Sequence, residues 1–110
     1  DEKDTSIPKF LYHITNKSFI NKIQSRGLIP KTKSKQSYHP ERIYFTKNET
    51  NMKSFSNMLI RFIPKEEQLI LKIDTEGLDN TFYQDPNLSN AIYTHQNISP
   101  QHIVSYSTLD

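Results

Sequence analysis

The stretch Phe10–Thr15, Phe-Leu-Tyr-His-Ile-Thr, most constrains the fold, because it is a short apolar run that ends in polar residues. Its aromatic and β-branched residues are typical of a strand. Apolar residues then recur near helical spacing at Phe19, Ile20 and Ile23. Gly27 can adopt the backbone conformation that ends a helix. The sequence therefore predicts a strand followed by a helix that ends at Gly27.

A second strand and helix are predicted further along the chain. The run Ile43–Thr46 is apolar and aromatic, which favours a buried strand. Asn48 after it can cap a helix with its side chain. The apolar stripe of that helix consists of Met52, Phe55, Leu59 and Phe62. Pro64 is expected to end it, because proline interrupts helical hydrogen bonding.

The second half of the chain favours strands. Apolar runs predict strands at Leu69–Ile73, Ala91–Thr94 and Ile103–Tyr106. The polar segment Thr75–Asn90 is expected to be a long loop, which in a small domain is usually functional or disordered. About five strands and two helices in this order indicate an α+β domain over residues 1–110, with residues 1–8 as a flexible lead-in.

Composition limits the classes of site that the chain can hold. With 34% hydrophobic residues in 110, the core must be small, although twelve aromatics enlarge it. The absence of cysteine excludes disulfides and thiolate ligands. The four histidines lack metal-ligand spacing, so we expect no metal site. No apolar run is long enough for a membrane span, and we expect a cytoplasmic protein, with a secreted effector as the alternative.

Positive charge is concentrated between Arg26 and Arg42. Five basic residues and one acidic residue give this segment a local charge of +4. Such a segment is either a solvated loop or a lip that faces phosphate. In the second case phosphate or RNA would contact the side chains of Arg26, Lys31, Lys33, Lys35 and Arg42.

The order of motifs resembles the ADP-ribosyltransferase superfamily. Tyr12–Thr15, an amphipathic helix, Gly27–Pro30 and Arg42–Thr46 follow one another as in its bacterial and phage members and its RNA 2′-phosphotransferase-like branch. The later runs Leu69–Thr75, Ala91–Thr94 and Ile98–Ile103 extend the resemblance over about residues 10–107. It implies a small split antiparallel β-sheet with two flanking helices, NAD as the cofactor, and a role in toxin, phage or host-conflict settings.

The resemblance also implies a cofactor site. His13 would hydrogen-bond the adenosine ribose, and Ile14 lies where many relatives have a glycine beside the nicotinamide amide. Tyr44 would stack on the nicotinamide ring, with Phe55 as a second aromatic wall. The hydroxyl groups expected to contact ribose or phosphate are those of Thr15 and Thr46.

Transferases of this superfamily use a late carboxylate, which stabilises positive charge in the transition state. The closest positions here are Asn90 and Ala91, and the nearest acid is Asp85. Asp85 or Asn90 is therefore the expected catalytic residue. Three functions follow: transfer of ADP-ribose from NAD to a protein or nucleic acid, a catalytically degenerate nucleotide- or protein-binding module, and a 2′-phosphotransferase-like activity on RNA ends.

Overall fold

The computed structural model describes residues 1–31, 41–88 and 90–109. Its strands are β1 (Phe10–Asn16), β2 (Ile43–Thr46), β3 (Gln68–Asp74), β4 (Tyr83–Gln84), β5 (Ala91–Thr94) and β6 (Ile103–Ser107), and its α-helices are α1 (Ile20–Arg26) and α2 (Glu49–Leu59). Single 3₁₀ turns precede α1, β3 and β6. The expected α+β class is confirmed.

The described strands form one antiparallel sheet in the order β4-β5-β2-β1-β3-β6. This is one strand more than the sequence predicted. The additional strand, β4, lies inside Thr75–Asn90, which was wrongly expected to be loop throughout. A strand of two residues is too short to show the alternation on which strand prediction depends.

The pairing of β1 differs on its two sides. With β3 it pairs along its whole length, from Phe10 opposite Asp74 to Asn16 opposite Gln68. With β2 it pairs at one registered position, Tyr12 opposite Thr46. Beyond that pair the β1–β2 ladder is not continued, although β2 stays fully paired with β5. The sheet therefore opens between β1 and β2, and we call this opening the strand gap.

The core lies mainly on one face of the sheet. Side chains of a strand alternate between its faces, so Leu11, Leu71 and Phe45 point to the same side. All three are buried, and Ile23 of α1 and Ile98 belong to the same cluster. The contact of Ile23 with this cluster holds α1 against this face of the sheet.

The other face is covered by α2, which a buried amide holds in place. Gln68 is fully buried, and its Nε2 donates to the carbonyl oxygens of Ser56 and Ile63, at 3.0 Å each. The Ser56 hydroxyl donates to the Gln68 side-chain oxygen. Because a buried amide without partners is costly, this network fixes the end of α2 against β3.

The start of α2 agrees with the sequence and its end does not. The Asn48 side chain accepts from the Asn51 backbone N–H at 2.8 Å, which confirms the predicted cap. The helix ends at Leu59, earlier than Pro64, and Phe62 is 79% exposed and not part of the core. The backbone N–H of Phe62 donates to the Leu59 carbonyl at 2.9 Å, so a turn carries Phe62 off the helical stripe.

Residues 2–4 lie along the β4 edge of the sheet. Lys3 forms an isolated bridge with Tyr83, and the Gln84 N–H donates to the Glu2 carbonyl at 2.8 Å. Asp4 is buried and forms an ion pair with Lys47 next to β2. Composition alone did not indicate these contacts, because the segment is polar and lacks periodicity.

Gly27 and Gly77 provide a matched pair for testing how tightly the α1 exit packs. Both have positive φ, 76° and 79°, so alanine at either position is strained by about 1–2 kcal/mol. At Gly27 the added Cβ would also overlap the Ile98 carbonyl oxygen, whereas at Gly77 its nearest neighbour is 3.9 Å away, on His102. We predict that urea unfolding shows a loss of more than about 3 kcal/mol for Gly27→Ala and about 1–2 kcal/mol for Gly77→Ala. Equal losses would contradict this close packing.

Candidate functional site

A cavity of about 820 Å³ opens at the strand gap. Three elements contribute much of its wall: His13 and Thr15 of β1, Tyr44 and Thr46 of β2, and Phe55 and Met58 of α2. We call this cavity the cleft. Small-molecule sites typically measure about 300–1,000 Å³, so the cleft is large enough for a nucleotide.

His13 bridges the strand gap. Its Nδ1 lies 2.7 Å from the backbone carbonyl oxygen of Tyr44. Because a carbonyl oxygen can only accept, Nδ1 must carry the proton, and Nε2 is then an acceptor when the ring is neutral. This side-chain bond joins β1 and β2 where the ladder between them is not continued.

The surroundings of His13 favour the neutral ring. Burial lowers the pKa of His13 below its ordinary value of 6.5, and the nearby charge of Lys31 acts in the same direction. The hydrogen bond to Tyr44 opposes these effects without cancelling them. At neutral pH His13 therefore presents Nε2 as a hydrogen-bond acceptor rather than as a cationic donor.

His13 and Tyr44 both line the cleft, although they lie on different faces of the sheet. The His13 ring lies beside Phe45, with centroids 5.6 Å apart, and the Tyr44 ring lies beside Tyr93 at 5.7 Å. Their strands are neighbours in the sheet. Because the strands separate beyond Thr46, side chains from both faces reach the same cavity.

Thr46 carries an unsatisfied polar atom in the wall of the cleft. The residue is only 4% exposed, and its hydroxyl oxygen has no hydrogen-bond partner within the described part of the chain. A buried polar atom without a partner costs about 1–3 kcal/mol. The hydroxyl oxygen itself is buried, so a ligand would recover that cost by hydrogen-bonding it only after the Thr46 side chain rotates toward the cleft.

All six residues expected to bind a cofactor line the cleft: His13, Ile14, Thr15, Tyr44, Thr46 and Phe55. Their roles toward a ligand remain predictions. Sequence reasoning missed the apolar rim, which consists of Phe19, Met58, Leu59, Phe62, Ile63 and Leu88. Leu59 and Phe62 of the predicted α2 stripe were a signal for part of this rim.

The two expected catalytic residues lie in the turn before β5. The Asp85 carboxylate accepts from the backbone N–H groups of Asn87, at 2.8 Å, and Leu88, at 3.0 Å. Asn90 is exposed. Its backbone has a φ of 67°, in the left-handed region, which asparagine tolerates. Neither is among the described residues that line the cleft, whereas Leu88 is. Their catalytic role stays a prediction.

Ala91, one of the two positions expected nearest to a late carboxylate, presents a methyl group at this site. Ala91 begins β5 and pairs with Thr46 of β2, so both side chains lie on the same face. Ala91 is buried. An acid at this position would lie beside the unsatisfied hydroxyl, and alanine supplies no charge there.

Two cationic side chains, Arg42 and Lys31, lie at one end of the cleft. The Arg42 guanidinium stacks on the Tyr93 ring at 4.0 Å, donates to the Tyr44 hydroxyl at 3.2 Å and lies 3.8 Å from the Asp1 carboxylate. The Lys31 ammonium lies 4.7 Å from the centre of the Phe19 ring. Lys33 and Lys35, also expected at a phosphate-facing lip, lie outside the described residues.

A smaller cavity of about 270 Å³ adjoins the cleft, and we call it the basic cavity. The two share the lining residues His13, Thr15, Phe19, Lys31 and Arg42. The basic cavity adds Lys22 and Arg26 of α1. No aspartate or glutamate occurs among the described lining residues of either cavity, so the whole groove favours an anionic ligand.

No protein-family model matches the chain, and no curated protein matches it either. Among the residues that the structure describes, no group of three His, Asp or Glu side chains is placed to hold a metal ion. None of the described helices has the length and apolar character to cross a membrane.

Proposed function

We propose that the chain binds NAD, or a nucleotide of the same class, in the cleft, as an ADP-ribosyltransferase-like protein. The observation that carries this proposal is the strand gap itself. It brings the expected cofactor residues of β1 and β2 into one cavity and leaves the buried Thr46 hydroxyl without a described partner. The size of the cleft and the cations at its end also suit a dinucleotide.

Each part of the ligand would find a matching group. A flat heterocycle would stack on Tyr44, with Phe55 on the cleft wall. A ribose hydroxyl would donate to the Nε2 of neutral His13, and the phosphates would lie near Lys31 and Arg42. Bound NAD supplies a cationic nicotinamide that can leave the ribose, whereas the protein residues supply orientation and charge.

Thr46→Val tests this proposal at its most specific atom, because valine keeps the shape and removes the hydroxyl. The unfolding free energy should stay equal or rise by up to about 1 kcal/mol, since an unsatisfied polar atom is lost. The dissociation constant for NAD should rise about three- to tenfold. Calorimetric titration and urea unfolding measure the two quantities.

The controls are two substitutions at Tyr44. Tyr44→Phe keeps the ring and should retain most of the melting-temperature increase given by NAD, whereas Tyr44→Ala should abolish it in a folded protein. If millimolar NAD or ADP-ribose leaves the melting temperature of the wild type unchanged, the proposed function is overturned. Unchanged NAD affinity in Thr46→Val would exclude the hydroxyl as a contact.

Transfer of ADP-ribose to a macromolecule is the second candidate function. One observation favours it: the turn capped by Asp85 also carries Leu88, which lines the cleft. A rearrangement of this turn would bring a carboxylate toward the bound ribose. Without such an acid the chain is a nucleotide-binding module, which is the function that the described lining residues support better.

Asp85→Asn separates these two candidates. If the chain is a transferase, the variant should lose about a hundredfold or more in rate, because the charge beside the developing oxocarbenium ion is removed. NAD affinity should change little. Release of nicotinamide and transfer of labelled ADP-ribose are the measurements. A wild type that binds NAD without turnover is a binding module, and undiminished turnover in Asp85→Asn would exclude Asp85 as the acid.

A further inference from the structure

The basic cavity has more cationic side chains than the two phosphates of a dinucleotide require. Lys31 and Arg42 already lie where the cleft and the basic cavity meet, and they can face the two phosphates of NAD. Lys22 and Arg26 belong only to the basic cavity, and both are exposed. Within the described ranges neither forms an ion pair. These two cations therefore remain available to a ligand that extends beyond the cleft.

Aromatic side chains are exposed along the same groove. Phe19 is 40% exposed and Phe62 is 79% exposed, although both line the cleft. Met58, also half exposed, lies with them. Exposed aromatic rings beside cations are the combination that binds single-stranded nucleic acid, because bases stack on the rings while phosphates contact the cations.

We infer that the groove formed by the cleft rim and the basic cavity binds single-stranded nucleic acid. Phosphates contact Lys22, Arg26 and Lys31, and bases stack on Phe19 and Phe62. This inference builds on the proposed function, since it names the class of macromolecule that reaches the NAD site.

The charge pattern and the rings together select this partner. A duplex keeps its bases stacked on one another, so it cannot use the exposed rings. An acidic peptide would satisfy the cations but would leave the rings uncovered. The absence of acidic residues among the described lining residues agrees with a polyanion that follows the groove.

The test measures binding of fluorescein-labelled octanucleotides of mixed sequence, one RNA and one DNA, by fluorescence anisotropy over a range of salt concentrations. Each phosphate contact with a single strand contributes about −0.7 to the slope of log K against log salt. In Lys22→Ala/Arg26→Ala the slope should become less steep by about 1.4, and affinity at low salt should fall about tenfold or more. Phe62→Ala should weaken binding about fivefold or more by removing a stacking surface.

The matched control is Lys53→Ala/Lys65→Ala, which removes the same charge from exposed positions that do not line either cavity. Its salt slope and affinity should equal those of the wild type. Equal losses in both double variants would overturn the inference, because the attraction would then depend on net charge alone. An octaglutamate peptide that competes as strongly as the oligonucleotides would also overturn it, in favour of an acidic protein.

NAD binding, measured on the same samples, separates this inference from the proposed function. Lys22→Ala/Arg26→Ala should retain the increase in melting temperature given by NAD. If NAD binds and neither octanucleotide does, the inference is overturned and the proposed function stands. If the octanucleotides bind with the expected slope and NAD does not, the inference stands and the dinucleotide proposal fails. Tighter binding of RNA than DNA, or the reverse, identifies which single strand is preferred.

Discussion

The cleft depends on the hydrogen bond between the His13 ring and the Tyr44 carbonyl. Strands β1 and β2 share one registered pair, and this side-chain contact at 2.7 Å links them across the strand gap. A continued ladder would close the gap and remove the cavity. The bond also fixes the proton on Nδ1 and leaves Nε2 as an acceptor. One interaction thus sets both the shape of the cleft and the chemistry of its central residue.

Charge determines which function this shape supports. His13 is held neutral by burial, cations occupy one end of the groove, and no acid is found among its described lining residues. This arrangement suits the binding of an anion better than the stabilisation of a cationic transition state. The β5 position beside Thr46 holds Ala91, and the Asp85 carboxylate caps its own turn. The proposed nucleotide binding therefore uses the groove as it stands, whereas the proposed transfer requires the Asp85 turn to move.

Local sequence signals predicted the elements well and the cavity less well. The bounds of β2 and β5 and the Asn48 cap agree with the structure, because apolar runs and capping side chains act over a few residues. Phe62 continues the predicted helical stripe in sequence, but the chain turns before it and the side chain is exposed. The buried amide of Gln68 gave no local signal, because its partners lie elsewhere in the chain. The strand gap likewise results from pairing between strands that are far apart in the chain. The spacing of apolar residues along the sequence does not indicate which strands pair.

The most direct test of the account is an NMR titration of the His13 ring nitrogens from pH 8 to pH 4, with and without NAD. Without ligand, Nδ1 should carry the proton of the neutral ring, and His13 should titrate below the ordinary value of 6.5 because burial lowers its pKa. Millimolar NAD should shift the Nε2 resonance of His13, while the ring resonances of His95 and His102 remain unchanged. Titration of His13 at or above its ordinary value, or NAD-induced shifts at the other histidines only, would contradict the account.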